Sequence, residues 1–274
     1  LFRGGVALDL PLARQAVDRD YLARTKPELF DELWTDPNTR VLAMFEGAVL
    51  LEGNALKLLS VESVPSANYR VYLGRDSVGP IVLAVLNENS AKQLEPSAEA
   101  WHNLRKTGAG LDDRDAGLFT QALAIANWHA SHLHCPRCGT PTLVESGGWV
   151  RRCFKDDSEH YPRTDPAVIV AINDDEERIL LGSQGVWEDN RWSILAGFVE
   201  PGESLEAAVV REMFEEAGVV VDEPHYLGSQ SWPFPYSLMA GFAARAKTTD
   251  LRPDGDEIEK LRWFSREELA AEAP

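Results

Sequence analysis

The chain is poor in cysteine, in basic residues and in long apolar runs, and each scarcity excludes a class of protein. Three cysteines in 274 residues are too few, and too odd in number, for a disulfide-stabilised scaffold. No apolar run reaches the length of about eighteen residues that a membrane-spanning helix needs, so no membrane partner is expected. The start of the chain carries no signal-peptide pattern, and we therefore expect a cytoplasmic protein.

The charge balance excludes another class. Aspartate and glutamate number 44, lysine and arginine number 27, and the formal net charge is −17. Proteins that bind nucleic acid through its backbone charge alone are usually basic, so sequence-independent binding of polyanions is disfavoured. A phosphorylated small molecule can still bind where a metal ion or a local basic group supplies positive charge.

The pattern of apolar residues predicts two β-rich regions joined by a helix. Short apolar runs, separated by Gly, Pro and Asn, predict strands in the first part of the chain. Helical spacing of apolar residues indicates one helix over Asp113–His132. A second β-rich region begins at Ala167–Ile172, with Ile179–Leu181 as its expected hairpin partner. No strong internal repeat is found in the sequence.

One segment of the second region carries a dense group of carboxylates. Glu212, Glu215 and Glu216 stand at i, i+3 and i+4, so a helix places all three on one face. Like charges this close are unfavourable unless something neutralises them. Mg²⁺ and Mn²⁺ take oxygen ligands, so the pattern indicates a divalent metal site. A solvated acidic helix face is the plainer alternative.

The residues around these carboxylates predict a strand, a loop and a helix. Gly197 lets the backbone turn after an apolar strand. Ser204 is the expected N-cap of the helix, and Gly218 is its expected stop. An apolar stripe along the helix predicts its buried face, and we expect the carboxylates to face away from that stripe.

The three cysteines have the spacing of a metal-binding ribbon. Cys135-x2-Cys138 is half of a zinc knuckle, and fourteen residues separate Cys138 from Cys153. The fourth ligand must be another residue type. His160 is the better candidate by ligand chemistry, and Asp156 by register. Three buried thiols without a metal are the alternative interpretation.

These observations divide the chain into three predicted parts. We expect a β-rich N-terminal domain with its linking helix over residues 1–130. A ribbon with structural zinc follows over residues 131–164, and the domain with the acidic helix covers residues 165–274.

A proline-stiffened aromatic loop follows the acidic helix. Two prolines in residues 229–239 hold Trp232 and Phe234 with little conformational entropy to lose. Fixed aromatic faces are suitable stacking platforms for a base or a nicotinamide ring. Packing of the same loop on the protein core is an equally good interpretation.

The acidic segment resembles the Nudix box, G-x5-E-x7-R-E-U-x-E-E-x-G-U with U aliphatic. Every fixed position is filled, by Gly197, Glu203, Arg211, Glu212, Glu215, Glu216 and Gly218. With a cysteine ribbon before it and the motif Ser229–Ser237 after it, the chain resembles the NudC-type NADH pyrophosphatases, which also remove NAD from RNA 5′ ends. The resemblance covers roughly Cys135 to the end. Two departures are Ser231, where the family has proline, and the absent fourth cysteine.

The resemblance implies an α+β fold and a metal-dependent active site. The expected fold is a Nudix α/β/α sandwich with a mixed sheet, preceded by the β-rich domain and the zinc ribbon. The implied Mg²⁺ or Mn²⁺ ligands are Glu212, Glu215, Glu216 and Glu257. Glu203 joins the catalytic set, Arg211 ties it to the helix, and Glu216 or Glu257 accepts a proton from water. Cys135, Cys138, Cys153 and His160 are the implied zinc ligands.

The resemblance also implies the substrates and the residues that bind them. NAD(H) would be cleaved to nicotinamide mononucleotide and AMP, and NAD-capped RNA to RNA with a 5′-monophosphate. The implied substrate-binding residues are Phe198, Tyr161, Gln230, Trp232, Ser237 and Met239. The family is dimeric, so Tyr161 would reach the nicotinamide from the partner subunit of a homodimer.

Other interpretations of the same sequence stay open. A Nudix enzyme of another specificity, such as ADP-ribose, has the same box. A non-catalytic nucleotide-sensing module has the same fold, although eroded carboxylates would be expected there. The cations Arg151, Arg152, Lys155 and Arg163 could receive an RNA 5′ segment, or simply balance an acidic protein.

Overall fold

The computed structural model describes residues 10–185 and 190–272, and the chain divides into two compact units. The first unit ends at Arg163 and also includes Trp232–Tyr236. The second consists of Thr164–Ser231 and of residues from Ser237 onward. The cysteine-containing segment, expected as a part of its own, falls within the first unit. Among the described residues, no helix combines the length and the hydropathy of a membrane span.

The first unit is built on a mixed β-sheet. Its strands in chain order are β1 (Arg40–Phe45), β2 (Ala48–Glu52), β3 (Ala55–Leu56), β4 (Leu58–Ser60), β5 (Ala67–Arg75), β6 (Pro80–Leu86), β7 (Trp101–Asn103), β8 (Thr142–Glu145), β9 (Val150–Cys153) and β10 (Glu159–His160). Its helices are α1 (Leu29–Thr35), α2 (Glu88–Leu94), α3 (Leu104–Thr107) and α4 (Asp113–Ser131). β1 pairs parallel with β6 and antiparallel with β2 and β4. β5 flanks β6 and β7 flanks β2, whereas β8, β9 and β10 form a small separate sheet.

The second unit is built on a mixed sheet of its own. Its strands are β11 (Asp165–Asn173), β12 (Ile179–Ser183), β13 (Leu195–Phe198), β14 (Val221–Trp232), β15 (Ser237–Ala246) and β16 (Lys260–Phe264). Its helices are α5 (Leu205–Ala217) and α6 (Arg266–Glu272). β11 pairs parallel with β15 and antiparallel with β12 and β13. β14 flanks β15, and β16 flanks β12.

The two sheets share one pairing scheme, which the sequence did not reveal as a repeat. β1, β2, β4, β5, β6 and β7 pair with one another as β11, β12, β13, β14, β15 and β16 do. The central strand has a parallel neighbour in both sheets. The sheets differ where the second carries α5: between β4 and β5 there is only a single helical turn, Val61–Ser63. The acidic helix is therefore the element that sets the second unit apart.

Each sheet buries one face beneath a helix. In the first unit, Phe119, Ala122 and Trp128 of α4 are fully buried in one apolar cluster with Leu42 and Leu83 of the sheet. In the second unit, Val209, Met213 and Ala217 of α5 form a cluster with Val168 and Val170 of β11. The helical and strand periodicities in these segments produce this arrangement, because each places its apolar residues on a single face.

The structure confirms the main elements that the sequence predicts. The helix expected over Asp113–His132 is α4. The strand expected at Ala167–Ile172 lies within β11, and its hairpin with β12 pairs Asn173 with Ile179. The helix that carries the carboxylates is α5, with Ser204 as its N-cap. Short local signals were therefore sufficient to locate these elements.

A buried polar pair holds the ribbon strand β9 against α4. Arg151 Nη1 donates to His129 Nδ1 at 2.9 Å, and Arg151 Nε donates to Thr142 Oγ1 at 2.7 Å. Because Nδ1 of the imidazole accepts, Nε2 carries the proton and donates it to the Gly148 carbonyl at 2.8 Å. Burial, together with the nearby Arg151 charge, lowers the pKa of His129 to about 4. The imidazole is therefore neutral in the folded protein near neutral pH.

We predict that His129→Gln flattens the pH dependence of stability. The pKa of His129 is lowered by folding, so protonation favours the unfolded chain. Stability of the wild type should fall as pH drops from about 6.5 towards about 4, by up to about 3 kcal/mol. His129→Gln should be less stable than the wild type near neutral pH, but its free energy of unfolding should fall less than that of the wild type when the pH is lowered. Urea denaturation of the two zinc-loaded proteins at about pH 7.5 and about pH 5 measures how the free energy of unfolding of each changes with pH.

The matched control for this experiment is His225→Gln, which alters an exposed histidine of the second unit. It should follow the wild type at both pH values. Equal pH slopes for His129→Gln and the wild type would contradict the buried neutral imidazole.

Candidate functional site

The acidic segment folds as strand, loop and helix. β13 leads into the loop, and Ser204 Oγ accepts the N–H of Ala207 at 3.1 Å to cap α5. At the other end, Gly218 takes a φ of 70°, a left-handed conformation that glycine adopts without steric cost. Residues adjacent to α5 thus fix both of its ends, and these ends determine which helix residues lie opposite the loop.

Arg211 holds the loop and the helix together. Its Nε and Nη2 each donate at 2.8 Å to the two oxygens of Glu203, a bidentate pair. Nη2 also donates to the carbonyl of Phe198 at 2.9 Å, and Nη1 lies 2.9 Å from carboxylate oxygens of Glu212 and Glu215. These hydrogen bonds from Arg211 lower the pKa of Glu203 to about 2. Arg211 is therefore a positioning residue, the role that the family resemblance implies for it.

Gly197 is required because Glu212 occupies the space beside its α-carbon. A Cβ atom at Gly197 would lie 2.0 Å from the carboxyl carbon of Glu212 and 2.3 Å from both oxygens. No side chain tolerates such a contact, so the glycine of the box allows β13 to approach the carboxylate. The Glu212 side chain is largely buried there, and burial raises its pKa.

Glu216 is the most perturbed carboxylate of the described residues in this unit. Only 4% of the residue is exposed, and its Oε2 is buried without a hydrogen-bond partner among the described residues. Burial is the main reason that its pKa rises to about 8, and the charges of Glu212 and Glu257 raise it further. This burial corrects the expectation that all three helix carboxylates face away from the core. Glu215, by contrast, is mostly exposed.

Glu257 comes from a turn before the last strand. Asp254 Oδ1 accepts the backbone N–H groups of Asp256, Glu257 and Ile258 at 3.1, 3.2 and 2.9 Å. Glu257 is exposed, and its charge raises the pKa of both Glu212 and Glu216. The sequence analysis missed Asp254, whose own charge also raises the pKa of Glu216. The turn sequence Pro253-Asp254-Gly255 was the available signal.

The donor set fits a hard divalent cation. Glu212, Glu215, Glu216 and Glu257 all contribute negative charge to the same region, since each of the other three raises the pKa of Glu216. The buried Oε2 of Glu216 has no protein donor among the described residues. A buried, unpartnered carboxylate oxygen is costly unless it is protonated or bound to a cation. Carboxylate oxygens are the ligands that such cations prefer.

Three of the predicted substrate residues share one face of the second sheet. Ala167 of β11 pairs with Phe198 on one side and with Met239 on the other, so their side chains point to the same face. Ser237 pairs with Asp165, two residues earlier, and belongs to that face too. This face is opposite to the one that α5 covers. Phe198 is 58% exposed, so its ring is available for stacking.

The other predicted substrate residues are placed differently. Gln230 lies on β14 and is half-buried. Trp232 belongs to the first unit, where it contacts Phe234 edge-on with ring centroids 5.0 Å apart and packs on the apolar core. Tyr161 also belongs to the first unit, is 62% exposed, and donates its hydroxyl to Glu159. Contact of these residues with a substrate remains a prediction.

The cysteines assemble with Asp156. One ligand atom from each of Cys135, Cys138, Cys153 and Asp156 lies within 4.8 Å of all the others. Three sulfurs and one oxygen at these separations suit a four-coordinate structural zinc site. Of the two candidates for the fourth ligand, Asp156 is the one whose carboxylate lies in this cluster, and we propose it as the zinc ligand. His160 lies beside the cluster, with its Nε2 atom 3.1 Å from Ser158 Oγ and its side chain in hydrogen-bond contact with Cys135.

Ser158 prepares the Asp156 carboxylate for this role. Its hydroxyl and its backbone N–H donate to Asp156 Oδ1 at 2.6 and 3.1 Å. The hydroxyl contact is the main reason that the pKa of Asp156 falls below its ordinary value. An ionised carboxylate beside three thiols is a complete ligand set, so the site is structural rather than catalytic.

Of the two interpretations of the four cations beside the ribbon, the balancing of an acidic protein is the one that fits two of them. The guanidinium of Arg151 is buried against His129 and Thr142. Arg152 forms ion pairs with carboxylates of Glu145, Asp157 and Glu159. Both charges are therefore committed within the protein, and neither is available to a polyanion.

We predict that Gly197→Ala weakens divalent metal binding in the acidic site. The new methyl group would overlap the carboxyl group of Glu212 and displace it. Displacing a ligand in this way should lower the affinity for Mn²⁺ at least about tenfold. Electron paramagnetic resonance titration with Mn²⁺ measures it. Gly241→Ala is the control, because a Cβ there meets only an ordinary 3.4 Å contact. Equal affinity in both variants would show that Glu212 binds no metal.

We also predict that zinc retention depends on Asp156 rather than on His160. Asp156→Ala should lower the zinc affinity at least about tenfold, because three ligands remain. Asp156→Cys should retain zinc, and His160→Ala should retain it as well. Zinc per chain is measured by atomic emission after dialysis against a graded chelator. Loss of zinc from His160→Ala alone would overturn the assignment.

Comparison with known proteins shows which protein families this chain is related to. The NUDIX domain profile matches residues 163–274, and the NADH pyrophosphatase zinc ribbon domain profile matches residues 130–161. A third profile, the NADH pyrophosphatase-like rudimentary NUDIX domain, matches residues 38–128. The last match agrees with the shared pairing scheme of the two sheets.

Individual relatives match to different extents. NAD-capped RNA hydrolase NudC of Mycobacterium tuberculosis is 38% identical over 273 residues, which are 95% of this chain and 84% of that protein. NAD-capped RNA hydrolase NUDT12 of Homo sapiens is 42% identical over 168 residues, 58% of this chain and 36% of that protein. This chain thus spans about a third of the longer relative.

The relationship rests on these sequence comparisons. A crystal structure of a NUDIX hydrolase from Nitrosomonas europaea is 26% identical and covers 49% of this chain and 78% of its own, with a TM-score of 0.44 that is too low to add weight. A NudC relative matches 95% of this chain, and along the sequence a zinc ribbon lies between two Nudix-type sheets. The chain therefore belongs to the NudC-type family of Nudix hydrolases.

Proposed function

We propose that this protein hydrolyses the diphosphate of NAD(H) to nicotinamide mononucleotide and AMP. We propose further that it removes the NAD cap from RNA and leaves a 5′-monophosphate. The observation that carries the proposal is the buried, unpartnered Oε2 of Glu216 within a complete Nudix box. Relatives named as NAD-capped RNA hydrolases support the choice of substrate.

The proposed site binds Mg²⁺ or Mn²⁺. Glu212, Glu215, Glu216 and Glu257 would hold the ions, since their carboxylates concentrate negative charge in one place. When bound, such ions neutralise the diphosphate oxygens and make a water molecule more acidic. Without this positive charge, an anionic diphosphate would be repelled by the same carboxylates.

The protein residues then have separate tasks in the reaction. The oxygen of water adds to one phosphorus, the bridging P–O bond breaks, and the released phosphate keeps the bridging oxygen. Glu216 is the proposed acceptor of the proton from water, and Glu257 is the second candidate. Arg211 and Glu203 hold the loop so that Glu212 keeps its position beside Gly197.

The sheet face opposite to α5 supports a nicotinamide pocket. Phe198 offers an exposed aromatic face, and Met239 and Ser237 share its side of the sheet. A ring that stacks on Phe198 would be flanked by a thioether and a hydroxyl, which gives both apolar contact and hydrogen bonding.

A homodimer is part of the proposal. Leu143, Phe154 and Tyr161 of the ribbon are 59%, 67% and 62% exposed. Large apolar side chains exposed on one small sheet and its turn are suited to an interface between subunits. Tyr161 would then reach the nicotinamide of the partner subunit.

We predict that Glu216→Gln abolishes hydrolysis while leaving the fold intact. Loss of the proposed proton acceptor and metal ligand should lower turnover of NADH at least about a hundredfold. Glu206→Gln is the control, because Glu206 is an exposed carboxylate in the first turn of the same helix. Both proteins should be assayed with NADH, ADP-ribose and NAD-capped RNA in Mg²⁺ or Mn²⁺, with the products separated chromatographically.

The outcomes distinguish the alternatives. Nicotinamide mononucleotide from the wild type and Glu206→Gln, but not from Glu216→Gln, supports the proposal. Faster turnover of ADP-ribose than of NADH would favour another Nudix specificity. Tight binding without turnover would favour the sensing module. If Tyr161 acts across subunits, mixing Tyr161→Ala with Glu216→Gln should restore activity that neither variant has alone.

A further inference from the structure

The first compact unit contains a cavity of about 790 Å³ that the acidic site does not use. All of its lining residues belong to this unit, since its walls come from the first sheet, from α3 and α4, and from the segment 233–235. Small-molecule sites commonly have volumes of about 300–1,000 Å³, mostly apolar walls and a few polar groups. The cavity has these properties.

One wall is aromatic and is held in place. Asn127 Nδ2 donates to the carbonyls of Pro233 and Pro235 at 3.0 and 2.9 Å, which fixes Phe234 between them. Tyr69, on the sheet side, donates its hydroxyl to the Ala126 carbonyl at 3.3 Å. A flat ring that enters the cavity would meet aromatic surfaces that need little reordering.

Two adjacent cations stand at the cavity. Arg105 and Lys106 both line it and both are exposed. Within residues 10–185 and 190–272, neither forms an ion pair with a carboxylate. The Arg105 guanidinium lies 4.2 Å from the centroid of Phe234, a stacked position that leaves its N–H groups free to bind an anion. In a chain of net charge −17, two uncommitted neighbouring cations form an anion-binding point.

Two polar residues that carry no positive charge also line the cavity. Glu46 lies in the hairpin between β1 and β2, and Asn103 ends β7; both line the cavity. The Asn103 amide oxygen already accepts the N–H of Lys106 at 3.0 Å, so the Glu46 carboxylate is the acceptor that can take a hydrogen bond from a hydroxyl or amino group of a ligand.

We propose that this cavity binds a nucleoside 5′-monophosphate, at a site distinct from the acidic site on α5. The phosphate would pair with Arg105 and Lys106, and the base would lie against the apolar wall beside the stacked pair of Arg105 and Phe234. A ribose hydroxyl or a base amino group would donate to Glu46. The pairing scheme that this unit shares with the second sheet gives it a similar scaffold without the acidic helix. This unit would therefore bind a nucleotide without cleaving it.

Isothermal titration calorimetry with AMP tests the proposal on zinc-loaded, full-length protein without added Mg²⁺ or Mn²⁺. The double variant Arg105→Ala/Lys106→Ala should weaken AMP binding at least about tenfold. Ala130→Phe should do the same, because Ala130 is exposed at the cavity and a phenyl ring there would fill it. Adenosine and inorganic phosphate should each bind at least about tenfold more weakly than AMP, since each lacks one half of the contacts.

Two controls separate this site from the acidic one. Lys57→Ala/Lys92→Ala removes two exposed cations of the same unit that do not line the cavity, and it should bind AMP as the wild type does. Glu216→Gln alters only the acidic site and should also leave this binding unchanged. Circular dichroism and thermal melting confirm that each variant is folded. Unchanged AMP affinity in both cavity variants, or its loss only in Glu216→Gln, would overturn the proposal.

Discussion

The acidic site depends on the neutralisation of carboxylates that would otherwise repel one another. Two like charges 4 Å apart cost about 4 kcal/mol at the effective dielectric constant near a protein surface. Arg211 offsets part of this cost, since one guanidinium contacts Glu203, Glu212 and Glu215. The charges that remain add to burial in raising the pKa of Glu216, whose buried oxygen has no donor in the described part of the chain. β13, the loop and α5 together position the carboxylates and Arg211 in this way.

The comparison of the two sheets explains where the chemistry lies. Both have the same central strand with a parallel neighbour, so the scaffold alone does not create the acidic site. The second sheet has α5 between β13 and β14, whereas the first has one helical turn at the equivalent place. The first sheet instead packs on α4 and forms a cavity with exposed cations at Arg105 and Lys106. The same arrangement of strands thus carries two different surfaces, depending on which helix packs on the sheet.

Prediction from the sequence succeeded where function depends on residues close together in the chain. The Nudix box, the N-cap at Ser204 and the stop at Gly218 are fixed by spacing, and the structure contains all of them. The same holds for the cysteine ribbon, where Cys135-x2-Cys138 brings two thiols together in one turn. Helical and strand periodicity located α4 and β11 for the same reason, because each pattern repeats within one element.

By itself the sequence determined the family, the acidic helix and the thiol ligands, since each of these follows from local order along the chain. Only the tertiary structure decided which side chains are buried and which charges are paired. Burial of Glu216 depends on the sheet beneath α5, and the loss of Arg151 as a surface cation depends on its meeting His129. The packing of Trp232 on the first unit likewise depends on residues more than a hundred positions earlier, such as Asn127, which no spacing rule connects to that loop.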